Sequence, residues 1–118
     1  AWQKAVEFAD LVYRLTRDFP PEERFGLVSQ MRRAAVSVSS NLAEGSSRKS
    51  RSDFARFTEI ATGSLFEVAS QACVARRQEL FSESDQSLVL GSAAELCSLL
   101  SGLKRSLTAD SKRKVGGL

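Results

Sequence analysis

Apolar residues recur at alternating steps of three and four along four separate segments of this chain, a spacing that places them on one face of a helix. The first predicted helix covers residues 1–17, where Ala5, Phe8, Val12, Leu15 and Phe19 form the stripe and Trp2, Val6, Ala9 and Tyr13 a flanking row. Pro20-Pro21 stops it, because proline lacks an amide donor and restricts its predecessor. The second is expected over 21–44, with Pro21 at its first position and Glu22 and Glu23 suiting the positive helix start. Its stripe is Val28, Met31, Ala35, Val38 and Leu42, and Gly45 is expected to end it in a left-handed cap. The third is expected over 52–80, capped by Ser50 or Ser52, with Phe54, Phe57, Ala61, Ser64 and Val68 facing inward. The fourth is expected over 84–107, capped by Ser82 or Ser84, with Val89, Ala93, Leu96, Leu100, Leu103 and Leu107 as its stripe.

Connections of a few residues force sequential helices to run antiparallel, and narrow stripes of this kind pack at shallow angles. The expectation is all-α: an up-down-up-down four-helix bundle over 1–108 and a loose, basic tail over 109–118. A length of 118 residues suits one such domain, able to bury a core without disulfides.

The absence of His removes the commonest general base and the commonest metal ligand. Cys73 and Cys97 fall in apolar helical patterns and read as buried packing thiols of a reducing compartment; two cysteines alone cannot complete a structural zinc site. No apolar run is expected to approach the roughly 20 residues that span a bilayer, and no signal peptide is visible, so a cytoplasmic, membrane-free protein is expected. The opening Ala1-Trp2, without Met, leads us to expect a longer native N-terminus.

Three constellations carry alternatives. Gln30, Arg33, Ser37, Asn41 and Glu44 fall within one arc of roughly 80° beside the apolar stripe of the second helix. They suit a structural hydrogen-bond network, or a groove facing a ligand or partner; no nucleophile, base and orienter set for catalysis is recognisable among them. Arg33 and Glu44 are expected to be buried and bonded to Glu67 or Gln71. The back of the second helix carries small residues, Ser39 and Ala43 among them, and the third has Thr58 and Thr62 with Phe66. These faces are either plain surface or, as preferred here, a subunit interface.

The third constellation is basic. From Arg48 to Arg56, with Lys49 and Arg51 between, four positive charges meet one negative; from Lys104 onward, through Lys112, Arg113 and Lys114, the balance is five to one. Such clusters suit a solvated surface or phosphate contacts, which position a nucleic acid without specifying its sequence. The net charge of +3 is only mildly basic, so clustering matters more than the total. The acids Glu7, Asp10, Glu44, Asp53, Glu59 and Glu67 form no metal-binding motif of the kind a nuclease would use.

Particular stretches are familiar: Trp2-Gln3-Lys4-Ala5, Phe19 to Leu27, Gln30 to Val38, Ser40 to Gly45 and Ala61 to Glu67. Together they resemble the four-helix-bundle family named after 23S rRNA intervening sequences, specifically over about residues 1 to 75 and beyond that in length and pattern. Ser39 stands where that family commonly has proline, which removes an expected local kink. The resemblance implies a bundle assembled as a ring-like homopentamer. A related accessory factor of diversity-generating retroelements is a basic pentamer that binds nucleic acid and a reverse transcriptase. The resemblance supplies no catalytic residue and no cofactor. The preferred expectation is therefore a non-enzymatic, oligomeric module that binds structured RNA or DNA through its basic clusters with little sequence specificity, with a protein-interaction scaffold as the rival.

Overall fold

The structure, a computed structural model, describes the backbone of residues 1–116 and the side chains of residues 1–109. The described residues form four α-helices, α1 (Trp2–Thr16), α2 (Leu27–Ser46), α3 (Arg51–Arg77) and α4 (Glu83–Gly116), with a 3-10 turn at Pro21–Glu23 before α2. Among the described residues there is no strand. The molecule measures 59 × 22 × 19 Å, so helices of this length set its long axis.

Partners across the seams give helix direction. Ser37 meets Ser64 while Arg48 lies over Phe57, so position rises along α2 as it falls along α3. Likewise Gln86 reaches Cys73 and Lys104 reaches Glu59, so α3 and α4 run antiparallel.

The core is one cluster drawn from all four helices, including Phe8, Met31, Leu65 and Leu100. The stripe expected on α2 is buried throughout, as are Ala5, Phe8 and Val12 of α1. Phe81, in the α3–α4 connection, is also buried and meets the edge of Phe19 at 5.2 Å between ring centres. It pins that connection to the one between α1 and α2.

Several local expectations are corrected. The helix expected from Pro21 gives only the 3-10 turn there; Gly26, outside helical geometry at φ −108° and ψ −110°, delays α2 to Leu27. Gly45 does not cap α2 in a left-handed conformation, since no glycine among the described residues has positive φ. It lies inside the helix, buried, where a Cβ would come within 2.8 Å of Phe57 Cβ and 2.9 Å of Phe54 Cδ1. Its missing side chain is what lets α3 approach. Serines do cap where expected: Ser50 Oγ accepts from the Asp53 amide and Ser82 Oγ from the Asp85 amide, both at 3.0 Å.

The buried face of α3 is rotated from the expected one. It consists of Ala55, Thr58, Ala61, Leu65, Val68, Ala72 and Ala75, while Phe54 and Phe57 are half-buried at the Gly45 contact. Small residues line this face because α3 packs against neighbours on two sides.

Neither cysteine is fully buried, contrary to expectation: Cys97 is half-buried, and Cys73 is exposed beside Gln86. The helix α4 runs past the expected end at residue 107, with no Gly or Pro to break it before Gly116. Over Glu83–Ala109 it is long and apolar enough, by length and composition alone, to cross a membrane, which corrects the expectation that no segment would be. Here Val89, Ala93, Leu96 and Leu100 of that segment are buried in the bundle core.

Candidate nucleic-acid interface

The short connection from Ser46 to Arg51 brings the end of α2 against the start of α3 and gathers Arg48, Lys49, Arg51 and Arg56 at one place on the surface. Phe57 organises two of them. The Arg48 guanidinium lies 5.1 Å and the Arg56 guanidinium 4.8 Å from its ring centre, so both cations rest on one aromatic surface. Arg48 also donates to Glu44 at 2.5 Å, which offsets part of its charge. On the facing stretch of α4, Lys104 pairs with Glu59 at 2.6 Å. The cluster is solvent-facing and close-set, as phosphate contact requires, but Arg48 and the nearby Lys104 already have carboxylate partners. Lys112, Arg113 and Lys114 lie outside the residues whose side chains are described.

The polar stripe of α2 divides into a bonded centre and exposed ends. At the centre Ser37 and Ser64 hydroxyls are 2.8 Å apart, and Asn41 Nδ2 donates to the Ser37 carbonyl and hydroxyl at 2.8 and 2.9 Å. This is a local network joining α2 to α3. Its expected outer members do not join it: Gln30, Arg33, Glu44 and Glu67 are all exposed. Arg33 has no hydrogen bond or ion pair among the described residues, and Glu44 bonds Arg48 instead of α3. Side chains long enough to reach water gain hydration there and avoid the cost of burying charge.

The arginine that is held in place is the neighbouring Arg32. Its Nε donates to Thr16 Oγ1 at 3.0 Å, its Nη2 to the Tyr13 carbonyl at 3.3 Å, and its guanidinium lies 4.4 Å from the Tyr13 ring centre. Thr16 is buried, so Arg32 ties the end of α1 to the start of α2.

Two clefts flank Arg33. On the α3 side, Gln30, Arg33, Glu67 and Gln71 line a polar cleft of about 520 Å³ in which Gln71 Oε1 is buried without a protein partner. On the α1 side, Tyr13, Arg24, Phe25, Arg32, Arg33 and Val36 line a groove of about 670 Å³. This groove is not among the features expected from the sequence. The signal was present in Arg24-Phe25, an exposed cation–aromatic pair in a connection, and in the Arg32-Arg33 pair.

The small faces do not form one surface. Val36 and Ser40 of α2 border the groove shared with α1, whereas Phe66 and Ala69 of α3 border an apolar groove of about 460 Å³ shared with Ala94 and Cys97 of α4. Phe66 is 62% exposed, and Ala43 is exposed with Ser39 and Thr62 half-buried. Thr58 is removed from the expected interface, because it is buried in this chain's own core with its hydroxyl bonded to the Phe54 carbonyl. Among the described residues, no group of three Asp, Glu or Cys side chains could hold a metal ion.

No curated protein matches the chain. The solved structure of a protein with unknown function from the S23 ribosomal protein family of Bacteroides thetaiotaomicron VPI-5482 is similar in fold, with a TM-score of 0.79 at 21% identity, over 88% of this chain and 97% of that one. The family model for the 23S rRNA-intervening sequence protein matches residues 1–102, through α1, α2, α3 and most of α4, and the chain therefore belongs to the 23S rRNA-intervening sequence protein family.

Proposed function

We propose that the protein is a non-enzymatic, cytoplasmic, oligomeric module that binds RNA or DNA with little sequence preference. The observation that carries this reading is the solvent-facing set Arg48, Lys49, Arg51 and Arg56 around the α2–α3 connection. Contacts from such residues go to phosphates, which every sequence offers alike. Assembly as a homopentamer would repeat the set in a ring, and multivalent display raises avidity without a new contact.

Titration of labelled RNA and duplex DNA at about 50 mM salt, repeated at rising salt, tests the reading. Binding should weaken steeply, with each neutralised phosphate contributing about −0.9 to the log–log slope on duplex DNA. The triple variant Arg48→Ala, Lys49→Ala, Arg51→Ala should flatten that slope and weaken all sequences together. Absence of binding at tens of micromolar protein, or binding indifferent to salt, would overturn it. The apolar groove beside Phe66 favours the rival reading, a protein-interaction scaffold, which the first of those outcomes would support. Light scattering reads the assembly directly: a mass at the single-chain 12.9 kDa excludes the ring.

A further inference from the structure

We infer that the groove between α1 and the outer face of α2 seats unpaired nucleotides, so that the protein grips single-stranded nucleic acid more tightly than duplex. This rests on the nucleic-acid reading above but on different residues.

Three arginines, Arg24, Arg32 and Arg33, and two aromatic residues, Tyr13 and Phe25, line the groove, and among the described residues no Asp or Glu does. On the adjoining turn, the Glu23 carboxylate sits beside Gly26. The groove's charge is therefore positive along its length, and its volume of about 670 Å³ lies within the ~300–1,000 Å³ of small-ligand sites.

The individual groups divide the work. Phe25 is 88% exposed, the most exposed large apolar side chain of the described residues, and no burial within the chain accounts for its presence. Rings so displayed are stacking platforms for bases, which single strands offer and duplexes hide between neighbouring pairs. The Arg24 guanidinium lies 5.6 Å from the Phe25 ring centre, placing a cation at the platform's edge. Arg32 is held rigidly against Tyr13 and Thr16 and forms the fixed wall. Arg33, exposed and with no ion pair among the described residues, is available to a phosphate. At the α2–α3 connection, by contrast, Arg48 is already paired with Glu44. A combination of basic groove and open aromatic faces is the pattern that tracks single strands without reading sequence.

Fluorescence anisotropy with a labelled oligouridine and with a duplex of equal length tests this, using the whole chain as wild type, Phe25→Ala, Phe25→Tyr and the triple Arg48/Lys49/Arg51→Ala variant. Wild type should bind the single strand more tightly. Phe25→Ala should weaken the single strand about fivefold or more and leave the duplex unchanged, while Phe25→Tyr keeps the preference. The triple variant should weaken both. Phe25 is exposed, so circular dichroism should show both Phe25 variants folded. If Phe25→Ala changes neither ligand, or both equally, the groove is not a base seat and binding by the basic connection still stands. If no nucleic acid binds wild type, both readings fall. If poly-glutamate displaces the oligouridine at equal charge, and Phe25→Ala weakens the poly-glutamate as much, the groove serves an acidic protein and the inference is overturned.

Discussion

Between α2 and α3, Gly45 presents bare backbone to Phe54 and Phe57, and Ser37 and Ser64 close the seam further along with a hydroxyl–hydroxyl bond. Between α1 and α4, Leu88 and Leu99 remain 50% and 44% exposed along a cleft of about 370 Å³ whose other wall carries Lys4, Glu7 and Arg14. Both seams join amphipathic helices of one core. They differ in the size of the residues at the point of approach. Where one helix offers no side chain, the other can fill the space with aromatic carbon and exclude water. Where both offer long or charged side chains, the helices stand apart and the apolar residues between them stay wet. The closed seam should therefore carry more of the stability than the open one.

Denaturant unfolding at a fixed protein concentration can break that comparison. The largest effect is expected at Leu42, buried on the Gly45 face of α2 one turn earlier. Leu42→Ala should cost about 2–5 kcal/mol through lost transfer energy and a residual cavity. Gly45→Ala comes next, at about 1–3 kcal/mol, because its new methyl group must displace Phe57 Cβ, which is tied to backbone and yields less than a side-chain tip. Leu99→Ser, in the open seam, should cost under about 1 kcal/mol, since much of that side chain already meets water. A Leu99→Ser cost equal to that of Leu42→Ala would mean that the two seams contribute alike.

The helices were legible because apolar period and burial agree wherever large residues mark the inner face. The α2 stripe from Val28 to Leu42 is the clearest case. On α3 the inner face is Ala55, Thr58, Ala61 and Ala72, whose hydropathy hardly differs from that of the outer face, so the eye follows Phe54 and Phe57 to the wrong angle. Gly45 could be read as a helix end because chain order does not show that two rings of α3 crowd against it. Arg32 and Arg33 are adjacent in sequence but about 100° apart around α2, and only Tyr13 and Thr16, sixteen and more residues away in sequence, show that Arg32 is the one held. Near the basic cluster, the Arg48–Glu44 pair lies within reach of a sequence reading at a spacing of four residues, whereas the Lys104–Glu59 contact spans 45 residues and does not. The groove beside Phe25 needed α1 and α2 to be placed side by side before its aromatic and cationic members could be seen together.

The Gly45 contact also bears on when structure forms. It lies beside the chain reversal from Ser46 to Arg51, so the residues it joins are only nine and twelve positions apart. Closing so short a loop loses little chain entropy, and contacts local in sequence form early. The α2–α3 hairpin is thus placed to nucleate the bundle, with α1 and the long α4 condensing onto it later. In a chevron experiment, Gly45→Ala should slow refolding by most of its equilibrium effect while leaving the unfolding rate nearly unchanged. An effect confined to the unfolding limb would show instead that this glycine acts as the last latch to close.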